Sequence, residues 1–161
     1  MTAITTQEME VAIANHFGVR KNIIVPNLSW GAGIHECDIF VLKKSGYAAE
    51  VEIKQSIQDF RNDFKKRHKH EHRWIKHFYF AFPQALYEKH CDEILKRIAT
   101  GTGIIVVQKT KWSTLASTQI SPKARKGSVK LTISEQLRVA RLGVIRVWTL
   151  KRNINSLKRT K

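Results

Sequence analysis

HECDIFVLKKSGYAAEVEIKQS, His35 to Ser56, reads as two strands around a tight turn. Apolar side chains alternate with charged ones on both sides of Lys44-Ser45-Gly46. Glycine at the third loop position supplies the left-handed backbone that a three-residue hairpin requires. Centring the hairpin on Ser45 fixes a register in which Asp38 stands opposite Glu52 and Glu36 opposite Lys54. Strand side chains alternate with period two, so Glu36, Asp38, Glu50, Glu52 and Lys54 are expected on one face and Ile39, Val41, Val51 and Ile53 on the other.

Such a charged face needs a physical reason. Two carboxylates about 4 Å apart repel by roughly 4 kcal/mol at an effective dielectric near 20. A raised pKa on one acid, neutralisation by Lys54, or a bound divalent cation would relieve that repulsion. An exposed lysine contributes only about 0–1 kcal/mol, which makes it a weak reason to assemble the acids. Carboxylate ligands suit Mg²⁺ or Mn²⁺, whose other ligands come from water and substrate phosphate. Lys54, two residues along from Glu52, is then placed to hold a water or to stabilise charge growing on a phosphate oxygen. The plain alternative is a solvated antiparallel face with alternating charges. Its position between a hairpin and the apolar run HFYFAFP, His77 to Pro83, argues against it.

Working outward, TTQEMEVAIANHF places Met9, Ala12, Ile13 and Phe17 at helical spacing, with Thr5 or Thr6 as N-cap and Gly18 as terminator. Ile23 to Ser29, His35 to Leu42 and Tyr47 to Gln55 read as strands. After Ile57 the period becomes helical through Ile57, Phe60, Phe64 and His68, with Arg61, Lys65, Lys66, Lys69 and Arg73 on other faces. HFYFAFP suits a strand covered on both sides. A helix over Leu86 to Ile98, a buried strand over Gly103 to Val107 and an edge strand within Trp112 to Ile120 follow. SPKARKGS, Ser121 to Ser128, is a loop. Ser134 is the expected cap of a last helix whose stripe of Leu137, Ala140, Arg141, Val144, Ile145 and Trp148 reads as core packing. The pattern is an α/β fold: a mixed central sheet flanked by helices, in one domain of 161 residues.

Charge narrows the partner. The 29 Lys and Arg against 13 Asp and Glu give +16, and residues 109–161 carry 14 basic side chains against Glu135 alone. A field of this kind favours a polyanion, because neutralising phosphates releases condensed counterions. Nucleic acid is the expected partner, with an acidic membrane surface the competitor, and Lys65, Lys66, Lys69 and Arg73 with Lys123, Arg125 and Lys126 of the loop are the candidate phosphate contacts. The longest apolar runs are far short of the ~18 residues of a membrane span. Met1 to Asn15 also lacks the basic start and apolar centre of a secretory signal. The expectation is a cytoplasmic protein, nucleoid-associated in a bacterium. Cys37 and Cys91 lack CxxC spacing and read as ordinary thiols.

Asp38, then 13 residues, then Glu52-Ile53-Lys54 on a hairpin behind an N-terminal helix resembles the PD-(D/E)XK nuclease superfamily. More narrowly, EIKQSIQDFRNDFKK leading into HFYFAFP is similar to the MmcB-like bacterial DNA-repair proteins, over about residues 8–107. The resemblance implies a restriction-endonuclease-like domain over residues 1–150, with a central four-stranded sheet, followed by a basic tail over 151–161. It implies Mg²⁺- or Mn²⁺-dependent hydrolysis of DNA phosphodiesters, with metal bound by Asp38, Glu52 and the Ile53 carbonyl and water oriented by Lys54. Another acid from the first helix is implied as well, Glu10 or else Glu8. Asp59 and Asp63 match the longer pattern and are expected to organise the start of the helix after Ser56. Cys37 departs from the proline usual before the first acid, and Glu50 from an apolar residue. Many such enzymes act as dimers, so a homodimer stands beside the monomer.

Two further readings compete. HKHEH, His68 to His72, places His68 and His72 one helical turn apart, but no third zinc ligand is apparent and a basic, phosphate-contacting helix fits better. Trp30, Trp74, Trp112 and Trp148 include candidates for base stacking. A nucleic-acid-binding protein without cleavage, and a small basic structural or ribosome-associated protein, are the alternatives to a nuclease.

Overall fold

The computed structural model describes residues 3–28, 33–65 and 70–159. Its elements in chain order are α1 (Thr6–Phe17), β1 (Ile23–Leu28), β2 (Cys37–Leu42), β3 (Ala48–Ile53), α2 (Ile57–Asp63), β4 (Ile75–Pro83), α3 (Gln84–Arg97), β5 (Gly103–Lys109), β6 (Thr114–Ile120) and α4 (Ile133–Arg159). The strands form one sheet in sequence order. β1–β2, β2–β3 and β5–β6 pair antiparallel, while β3–β4 and β4–β5 pair parallel. The α/β class is as the periodicity predicts. The sheet has six strands instead of the implied four, because β1 and β6 extend it at its two edges.

The hairpin register is the one centred on Ser45: Ile39 pairs with Val51, Phe40 with Glu50, Val41 with Ala49 and Leu42 with Ala48. Gly46 adopts φ 84°, and its N–H donates to the Lys43 carbonyl at 2.8 Å. The ladder stops at Ile39 and Val51, one pair short of Asp38 and Glu52. There the Asp38 carboxylate itself accepts the Ile53 N–H at 2.8 Å, so a side chain replaces the next rung.

Two apolar layers bury the sheet. Met9, Ala12 and Ile13 of α1 pack on Ile39, Val41, Val51 and Ile105. On the other face Phe40, Phe60, Phe78, Phe80, Phe82, Ile94 and Val139 form the larger core. Each fully buried aromatic or aliphatic side chain there contributes about 1.5–3 kcal/mol. All six residues of β3 are buried, Glu50 and Glu52 among them.

Helices depart from expectation in two places. α2 ends at Asp63 after seven residues, short of the Arg73 to which a basic helix was expected to run. Ser56 caps it by accepting the Asp59 N–H at 3.1 Å. His70 lies at φ 55°, a left-handed backbone that no helix contains. The cap of α4 is Thr132, not Ser134: Thr132 Oγ1 accepts the Glu135 N–H at 3.3 Å while Glu135 Oε2 accepts the Thr132 N–H at 2.7 Å. α4 then continues unbroken through the basic tail to Arg159. Its apolar stripe is not core. Leu137 is 63% and Trp148 58% exposed, and Val144 and Ile145 are exposed too. Contact with β1 comes instead from the opposite side, where Val139 is buried and Gly143 approaches so closely that a Cβ would sit 3.2 Å from Val25. Spacing reports that a helix has an apolar face, not what covers it.

Candidate metal and active site

Glu50 and Glu52 of β3 and Lys54 just after it alternate along the chain and are buried. Glu50 neighbours Phe78 and Glu52 neighbours Phe80 across the parallel pair. Carboxylates in such surroundings require partners. They come from the crossover that joins β3 to β4 and from the turn before β2.

Lys54 Nζ donates to Glu52 Oε2 at 3.1 Å and to Asp63 Oδ1 at 2.6 Å, and lies 5.7 Å from the centroid of the Phe80 ring. His70 stands between acids: Nε2 is 2.6 Å from Asp63 Oδ2, and Nδ1 is 2.6 Å from Glu50 Oε1 and 3.8 Å from Glu52 Oε1. Its ring stacks on Phe78 with centroids 4.7 Å apart. His35 Nε2 approaches Glu50 from the other side at 2.9 Å. Glu50 is fully buried, and Glu52, Lys54, Asp63 and His70 are nearly so.

Burial alone would push the Glu50 carboxyl up, but hydrogen bonds from His35 and His70 outweigh it and hold the group below its ordinary range. The same balance acts on His70 in reverse. Burial disfavours its charged form, yet Asp63 and Glu50 raise its pKa to about 9. Cys37, buried near Glu50 with Sγ donating to the His35 carbonyl at 3.4 Å, has its thiol pushed far up by burial and the nearby acids.

Of the sequence-predicted site residues, Asp38, Glu52 and Lys54 converge where β2 leaves β3. Asp38 meets Glu52 through its backbone, with N–H and Oε1 3.4 Å apart, a long contact. The side chain of Ile53 packs on the opposite face, against the α1 layer. Glu10 accepts from Asn27 Nδ2 at 3.1 Å, on the α1 face of the sheet. Glu8 closes the α1 capping box and pairs with Lys109 at 2.6 Å. α1 packs across the sheet from Glu50, so the structure does not bring Glu10 to the cluster. Asp63, expected at the helix start, closes its end and turns inward. Helical spacing in HKHEH pairs His68 with His72 and passes over His70. His68 lies outside the described residues, and His72 packs edge-on against Trp74 instead. The signal for His70 was a turn residue between strands, which helical spacing hides.

The basic residues divide as well. Lys123 and Lys126 are exposed, and Lys65 is exposed with Nζ 3.2 Å from Asn62 Oδ1. Arg73 is exposed beside Glu135 at 3.1 Å. Arg125 turns inward: Nη1 donates to the His70 carbonyl and the guanidinium lies 5.2 Å from the centroid of the Phe78 ring. Arg125 therefore clamps the His70 turn. Lys66, Lys69 and Trp30 lie outside the described residues. A cavity of about 620 Å³ is lined by Arg73, Thr102, Lys123, Arg125, Lys126 and Ser128 among others. Trp112 and Trp148 are exposed and Trp74 is buried, which removes Trp74 from the stacking candidates. No helix among the described residues is long and apolar enough to cross a membrane.

No protein-family model matches the chain, and no curated protein matches it. A solved structure with the same fold is SPO1766, a protein of unknown function from Silicibacter pomeroyi. It superposes with a TM-score of 0.60 at 14% identity, covering 98% of this chain and 94% of that one. That likeness extends to the fold alone.

Proposed function

We propose that the protein is a metal-dependent DNA nuclease, in keeping with the sequence resemblance to the PD-(D/E)XK superfamily. The observation that carries the reading is the meeting of Asp38, Glu52 and Lys54 at the point where the β2–β3 ladder stops. The oxygen donors fit Mg²⁺ or Mn²⁺, with Asp38 and Glu52 as the residues that would hold it. A divalent ion there would supply charge for a developing phosphate oxyanion and a more acidic water. Lys54, fixed by Glu52 and Asp63, presents an ammonium of set position. Lys123, Lys126 and Arg73 line the cavity beside the His70 turn and offer charge to the DNA backbone.

Burial favours a second reading, a DNA-binding protein that does not cleave. Lys54 is only 2% exposed, and its two acid partners account for it as an internal ion network.

Incubation with supercoiled, linear, single-stranded and branched DNA, with Mg²⁺, Mn²⁺ or EDTA, separates the two readings. Cleavage that needs the metal and disappears in Asp38→Asn and Lys54→Ala supports the nuclease. Binding without cleavage in any condition, or cleavage undiminished in both variants, overturns it.

A further inference from the structure

Glu50, Glu52 and His70 each offer one ligand atom, and the three atoms all lie within 4.8 Å of one another. Each of the three is also held from behind by a different side chain. Asp63 takes the far nitrogen of His70 at 2.6 Å, His35 meets Glu50 at 2.9 Å, and Lys54 meets Glu52 at 3.1 Å. A carboxylate on the second imidazole nitrogen and hydrogen bonds on the carboxylates are the usual outer partners of metal ligands, fixing ring orientation and basicity.

We infer that Glu50, Glu52 and His70 form a binding site for a divalent transition metal, with Zn²⁺ the preferred ion over Mn²⁺ and Mg²⁺. Imidazole suits Zn²⁺ and its neighbours in the series, whereas Mg²⁺ takes oxygen ligands and keeps its waters. Three protein ligands leave the fourth position of a tetrahedral zinc site to a further donor. The buried Glu50, which the resemblance leaves without a role, becomes the central ligand, and His35 and Asp63 become positioning residues. Cys37 borders the set: its Sγ lies within 4.8 Å of ligand atoms of His35 and Glu50 and donates to the His35 carbonyl at 3.4 Å. The site deepens the metal-dependent reading through the shared Glu52, yet ion binding is measurable without DNA. A protein that holds Zn²⁺ and cuts nothing would therefore retain this site and lose the nuclease.

The test is equilibrium dialysis of the chelator-treated full chain against Zn²⁺, Mn²⁺ or Mg²⁺ singly, with bound metal measured directly. One equivalent of Zn²⁺ per chain is expected, with weaker Mn²⁺ and weakest Mg²⁺. Asp63→Asn should lower Zn²⁺ affinity about 10–100-fold; His70→Gln should abolish stoichiometric binding, and His72→Gln should leave it unchanged. Circular dichroism checks that each variant folds. Histidine ring nitrogen NMR of the wild type gives an answer free of substitutions, with the Zn²⁺-induced change centred on His70 Nδ1. Absence of stoichiometric Zn²⁺ in the wild type, equal affinity in a folded His70→Gln protein, or NMR changes confined to other histidines would each overturn the site.

Discussion

Lys54 Nζ and Asp63 Oδ1 stand 2.6 Å apart, joining the end of β3 to the end of α2 inside the protein. Removing one partner of a buried pair leaves the other charge uncompensated, at about 3–5 kcal/mol. Asp63→Ala is expected to destabilise the protein by that order in urea unfolding. The pair Lys54→Met and Asp63→Leu together should lose clearly less than the two single changes summed. Additive losses would show that the two groups are not coupled.

Arg125 and Lys126 are chain neighbours, the first turned inward and the second exposed. On the proposed DNA-binding reading, Lys126→Ala should leave the melting temperature unchanged and reduce the salt dependence of binding by about one unit of log–log slope. Arg125→Ala removes the donor to the His70 carbonyl, so its expected effect is a lower melting temperature. Reversed effects would place Arg125 on the DNA instead.

Glu8 and Glu93 are held at about 2, well under the ordinary carboxyl value of 4.5. For Glu8 the cause is the hydrogen bond from Lys109 and then the Thr5 N–H; for Glu93 it is the Arg61 guanidinium. A depressed folded-state value contributes stability that is present above pH 4.5 and is lost as pH falls through 2. Lys109→Ala should move the Glu8 carboxyl back upward in an NMR titration and reduce the acid sensitivity of stability between those limits. An unmoved Glu8 would remove the lysine from the account.

The start of α4 gives a fourth test. Thr132→Ala should cost about 1 kcal/mol, the usual value of an N-cap. Ser134→Ala, at an exposed helical position, should stay within about 0.5 kcal/mol in denaturant unfolding. Equal effects would contradict the assignment of the cap.

Local features were the legible ones. The hairpin register followed from Lys44-Ser45-Gly46, because turn chemistry and strand alternation act between neighbours in sequence. HFYFAFP announced β4 in the same way. What spacing could not show was which distant side chains would meet. Glu50 looked purposeless in the sequence, since its partners His35 and His70 arrive from turns 15 and 20 residues away. The basic run after Phe64 kept a helical period, yet Asp63 and His70 turn inward to the buried acids and the helix stops. Ser134 can cap a helix by type, but Thr132 does so here. Glu135, which completes the capping box with Thr132, was the deciding residue.

The parallel pairing of β3 with β4 carries a consequence for folding. The hairpin can close early, because its contacts are local, but Glu50, Glu52 and Lys54 stay hydrated until the chain from Lys54 to Trp74 crosses over and seals them. Dehydration of the acids therefore belongs to a late event, and reversal of that event alone readmits water and ions to the cluster while the hairpin persists. Amide hydrogen exchange would register it as opening of α2 at lower free energy than β3 and β4.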